Sequence, residues 1–100
     1  GLKLNEPAQD LSMAIAIASS YNEKPISPYT MAVGEIGLTG EIRSISDIDS
    51  RVREALRSGI KRVIIPYSNR NRIKNREKQE IEICTARSLN DALNFALKTN

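Results

Sequence analysis

Three glycines spaced three apart, Gly34, Gly37 and Gly40, constrain this 100-residue chain more than any other feature. They punctuate the run Gly34-Glu35-Ile36-Gly37-Leu38-Thr39-Gly40-Glu41-Ile42-Arg43. Glycine supplies positive φ or close backbone approach without the penalty of a Cβ. Such a run therefore reads as a tight β-hairpin, with Tyr29 to Ile36 as one strand and Glu41 to Ile45 as its partner. The hairpin fixes antiparallel pairing at the middle of the chain. The flanks must find other neighbours.

Upstream, Pro7 suits the first position of a helix, where a missing N–H costs nothing. Ala8 to Tyr21 then reads as that helix. Leu11, Ala14, Ile15 and Ala18 form one stripe, and Met13 and Ile17 widen it until little polar face remains. Such a helix should be buried on most sides. Gly1 to Leu4 reads as the end of a strand, and Asn22 to Pro28, with two prolines, as a loop.

Downstream, Ser46 to Ser58 is amphipathic, with Ile48, Val52, Ala55 and Leu56 inward. Ser46 and Asp49 fit a capping pattern, and Gly59 stands where a helix needs its C-cap. Lys61 to Pro66 and Glu80 to Thr85 are short β-branched runs of the kind buried in parallel sheets. Ser88 to Leu97 closes the chain as a helix capped by Ser88 and Asp91. Strand, helix, strand and helix in that order imply a crossover between parallel strands. The expected class is α/β, a single domain over 1–100 with helices packed on a mixed sheet.

Composition excludes more than it assigns. No histidine is present, which removes histidine catalysis and most zinc sites. The single cysteine, Cys84, forbids an internal disulfide and reads as a buried structural residue. No phosphate-binding Gly-x-x-x-x-Gly-Lys run occurs. No apolar run approaches the roughly 20 residues of a spanning helix. There is no signal-peptide layout, and the absent initiator methionine suggests a piece of a longer chain. Asp47 with Asp49, and Glu35 with Glu41, could be paired carboxylates. The simpler reading places the aspartates at a helix N-terminus, where negative charge is favoured, and the glutamates on a solvated hairpin near Arg43.

The hairpin run, taken with Asn5-Glu6-Pro7-Ala8-Gln9-Asp10, resembles the proteolytic domain of Lon-type serine proteases in outline. It resembles the Lon-like C-terminal domain of RadA-type (Sms-type) bacterial DNA-repair ATPases nearly residue for residue. The resemblance covers essentially all of this chain but only part of the family's domain. It implies a Lon proteolytic-domain-like fold of the ribosomal protein S5 domain 2 type, with Pro7, Gly34, Gly37 and Gly40 as structural motif residues. It also aligns the Lon nucleophile with Ala8 and the Lon lysine with Asp49. A Ser–Lys dyad needs a hydroxyl and an amine, so the expected domain keeps the protease fold without its chemistry. The alternative is a fragment of a diverged ATP-dependent Lon-type protease whose nucleophile lies elsewhere.

The segment Tyr67 to Gln79 is polar, basic and expected to be irregular. It carries Arg70, Arg72, Lys74, Arg76 and Lys78 against Glu77 alone, and Lys61 and Arg62 lead into the strand before it. Such density suits phosphate contacts without base preference, or a solvated surface. The resemblance favours contact with single-stranded or branched DNA. It further implies a homo-oligomeric ring of six, no membrane, and a bacterial cytoplasmic setting (organellar in a eukaryote). This chain would hold no cofactor, with ATP, magnesium and zinc confined to upstream domains of the parent.

Overall fold

β-Branched residues on both faces of one strand organise the molecule. In β5 (Arg62–Pro66), Val63 and Ile65 face one apolar cluster and Ile64 faces another, and all three are fully buried. A strand buried on both faces needs layers on both sides. β5 pairs in parallel with β2 (Thr30–Ala32) and β6 (Glu82–Ala86), giving the order β2-β5-β6. Two helices, α1 (Leu11–Asn22) and α3 (Leu89–Ala96), cover one face through Leu11, Ile15, Ala92 and Ala96. Helix α2 (Ile48–Arg57) covers the other through Ile48, Val52 and Ala55. A second, antiparallel sheet of order β1-β3-β4 joins Gln9–Asp10, Glu35–Ile36 and Ile42–Arg43. The computed structural model describes residues 9–74, 78 and 80–98. The strand reading of Gly1 to Leu4 and the roles given to Pro7, Ala8 and Arg76 fall outside them.

The α/β class and both pairing modes agree with expectation, but parallel and antiparallel pairs occupy separate three-stranded sheets. The expected strand Tyr29 to Ile36 is accordingly broken. β2 belongs to the parallel sheet and β3 to the antiparallel one, with the switch at Gly34, where φ is +145°. An L side chain rarely adopts that value.

Helix α1 starts later than Pro7 suggests, because Gln9–Asp10 first pairs with Glu35–Ile36. Asp10 is the N-cap, its Oδ1 accepting from Ser12 N at 2.8 Å and Met13 N at 3.2 Å. The expectation of burial on most sides fails. Met13, Ile17 and Tyr21, one turn apart, are 58%, 56% and 87% exposed, since both sheets lie on the opposite side of the helix. Helix α2 is not capped by Ser46. Asp47 occupies the cap position at φ +57° with no side-chain bond, and the carboxylate of Asp49 turns elsewhere. Helix α3 is capped as expected, Ser88 Oγ accepting from Asp91 N at 3.2 Å.

Candidate nucleic-acid interface

The basic segment is less irregular than its composition suggests. Beyond Pro66 the chain makes a 3₁₀ helix, Tyr67–Arg72. Its anchor is Asn69, a buried polar residue 1% exposed. Asn69 Nδ2 donates to Ile45 O and Asn69 Oδ1 accepts from Ile45 N, both at 3.0 Å. A buried amide must find such partners, and here it behaves as an added rung of backbone pairing. Ile73 and Ile81 enter the second apolar cluster and pin the segment at both sides.

The cations divide into two groups. Arg70, Arg72, Lys74 and Lys78 are exposed on or beyond the 3₁₀ helix, past the carboxyl end of β5. Lys61 and Arg62 stand at its amino end, roughly 15 Å away at the usual rise of about 3.3 Å per residue. Arg62 is also committed inward, its Nε 2.9 Å from Glu82 Oε1 and its Nη1 2.8 Å from Phe95 O. The bond to Glu82 raises its pKa further. The fold thus does not bring Lys61 and Arg62 together with the basic segment. It adds a residue that sequence reasoning missed: Arg87, whose guanidinium carbon lies 3.9 Å from the centroid of the Tyr67 ring. A lone arginine after an apolar strand carries no signal in the sequence.

Asp49 faces this segment. Its Oδ1 accepts from Lys74 N at 3.3 Å, and its Oδ2 lies 3.7 Å from Lys74 Nζ and 3.4 Å from Arg53 Nη2. A carboxylate so engaged tethers the basic segment to α2.

A cleft of about 510 Å³ opens between α1 and β2, with Asp10, Ser12, Glu35 and Arg51 among its lining residues. The Ser12 hydroxyl donates to the Asp10 carboxylate. That bond, with the N–H groups of Met13 and Ser12 and the charge of Arg51, holds Asp10 below the usual carboxylate range. The Asp10 carboxylate thus serves as the charged N-cap of α1. Cys84 is buried in β6, and loss of hydration pushes its thiol pKa up, against any nucleophilic role.

The hairpin glycines differ in what they provide. Gly34 and Gly40 have positive φ, whereas a Cβ at Gly37 would only displace the half-exposed Glu41 carboxylate, the free end of a flexible side chain. That carboxylate accepts from Thr39 N at 3.1 Å and Thr39 Oγ1 at 2.6 Å, closing the hairpin tip.

Comparison with known proteins agrees with this architecture. Residues 3–99 match the family of the Lon protease (S16) C-terminal proteolytic domain. The chain is 41% identical over 97 residues to the DNA repair protein RadA of Listeria monocytogenes, covering 97% of this chain and 21% of that protein. It is 54% and 52% identical over 69 residues to the proteins of the same name from Halalkalibacterium halodurans and Bacillus subtilis, covering 69% of this chain and 15% of each. The chain therefore spans about a fifth or less of the length of these curated relatives. Among the described residues no helix is long and apolar enough to cross a membrane.

Proposed function

Because the chain belongs to the family of the Lon protease (S16) C-terminal proteolytic domain, we propose that it is a peptidase-inert form of that domain, serving a RadA-type DNA-repair ATPase as assembly scaffold and DNA-binding surface. The observation that carries this reading is the Asp49 carboxylate bound to Lys74. By family resemblance this is the position of a catalytic amine; here it is an acid, and that acid contacts the basic segment. Arg70, Arg72 and Lys78 remain exposed beside it, a charge density suited to the phosphate backbone of single-stranded or branched DNA. The outward stripe of Met13, Ile17 and Tyr21 supports the scaffold role, since contiguous exposed apolar surface marks contact sites. Its partner in this reading is the next subunit of a ring, a hexamer by family resemblance. ATP, magnesium and zinc belong to parts of the parent outside this chain, and the setting is the bacterial cytoplasm.

Two measurements test the reading. The full-length assembled protein, given ATP and unfolded casein, should release no peptides. Cleavage that persists through purification and is abolished by a serine-directed inhibitor would overturn the inert assignment. Conversion of Arg70, Arg72, Lys74 and Arg76 to glutamine should weaken binding to single-stranded and forked DNA. The slope of log K against log salt should flatten by roughly 0.7 to 0.9 per lost phosphate contact. Wild-type affinity and slope in that variant would refute the DNA role.

A further inference from the structure

Parallel register brings two distant segments to one place. Pro66 and Ala86 are partners at the carboxyl ends of β5 and β6, so Tyr67 and Arg87 leave the sheet side by side. In a 3₁₀ helix residues three apart eclipse one another, which returns Arg70 to Tyr67. Arg70 Nη1 donates to Tyr67 O at 3.0 Å, and its guanidinium carbon lies 3.9 Å from the Tyr67 ring centroid. Arg87 lies at the same distance from that centroid. The two cations are therefore no more than about twice that distance apart. Among the described residues neither has a carboxylate within ion-pairing range.

Two guanidinium groups within about 8 Å repel each other, and the π-system of the Tyr67 ring is what draws both in. The result is a pre-oriented pair of planar donors with unmet demand for an anion. Guanidinium forks match the two free oxygens of a phosphodiester. The site also lies at the carboxyl edge of a parallel sheet, where α/β folds place their ligands. We propose that Arg70 and Arg87, held on Tyr67, form a phosphate clamp for the backbone of a nucleic-acid strand. Arg87 then contacts DNA from outside the basic segment, and Tyr67 acts as the positioning residue that fixes the pair. This rests on the DNA-binding reading above and adds a site to it.

The test is binding of a single-stranded oligonucleotide to the full-length protein across a salt series. Arg87→Gln should melt like wild type. It should lose about 0.7 from the salt slope, which is about fivefold in affinity at 0.1 M salt. Arg87→Lys keeps the charge but loses the stacked fork, and should bind between the two. Tyr67→Phe should bind as wild type, whereas Tyr67→Leu should weaken binding at unchanged net charge. Wild-type affinity and slope in Arg87→Gln, alongside a loss in a variant with Arg72, Lys74, Arg76 and Lys78 changed to glutamine, would overturn the clamp while sparing the wider reading. No loss in either variant would overturn both. Displacement of DNA by inorganic phosphate at an ionic strength where chloride has no effect would assign the clamp to free phosphate and refute its commitment to backbone.

Discussion

Gly34 is the hinge between the two sheets, and replacing it with alanine measures what that switch demands. Two costs arise at one Cβ. The backbone sits at φ +145°, and the new Cβ would lie 3.3 Å from Ile42 Cγ2, 3.3 Å from Pro66 Cγ and 3.5 Å from Leu11 Cδ2. Strain in a sparsely populated region costs about 1–3 kcal/mol. The crowding requires buried neighbours to give by a few tenths of an ångström, which adds about 1 kcal/mol, the low end for overpacking. Together these give about 2–4 kcal/mol, a fall in melting temperature of roughly 10–25 °C for a chain of this length. Gly40 provides the internal reference. It too has positive φ, at +85°, but a Cβ added there would meet no atom within 4 Å. Gly40→Ala should therefore cost only the left-handed backbone penalty, about 1–2 kcal/mol. Chemical denaturation of both variants, compared at equal m-value, reads the difference. A Gly34→Ala variant no less stable than Gly40→Ala would refute the account, because the crowding at the sheet switch would then contribute nothing.

Three further outcomes are expected. Asn69→Ala leaves the Ile45 N–H and C=O without their partners, which should cost about 2 kcal/mol; amide exchange across residues 70–74 should quicken, and unchanged exchange would show that Asn69 does not anchor the segment. Asp10 has its pKa lowered in the fold, so its stabilising effect is present above the unfolded value and is lost as pH falls through the folded one. Asp10→Ala should cost about 1 kcal/mol at neutral pH, while Asp10→Asn should keep the cap and soften the loss of stability in acid, as read by melts from pH 7 to 2. Cys84, buried with a raised pKa, should resist alkylation by iodoacetamide in the folded protein and react readily in denaturant; rapid native labelling would contradict its burial.

The turn chemistry of the hairpin, the Ser88 cap of α3 and the two buried parallel strands were legible in the chain because each depends on residues within a turn or two of one another. Periodicity and glycine placement are local signals, and local preference agrees with the fold there. Four features are not of that kind. The break of Tyr29 to Ile36 at Gly34 depends on β1 and β5 competing for one extended segment. The burial of Asn69 depends on Ile45, 24 residues away. The exposure of Met13, Ile17 and Tyr21 depends on which side of α1 the sheets occupy, which an apolar pattern running around most of a helix does not specify. The meeting of Arg87 with Tyr67 and Arg70 depends on the register of β5 against β6. A slip of one residue there would move Arg87 to the other face of the sheet. Composition could place the cations on the surface, but only tertiary pairing decided that Arg62 is spent on Glu82 while Arg87 joins the candidate site.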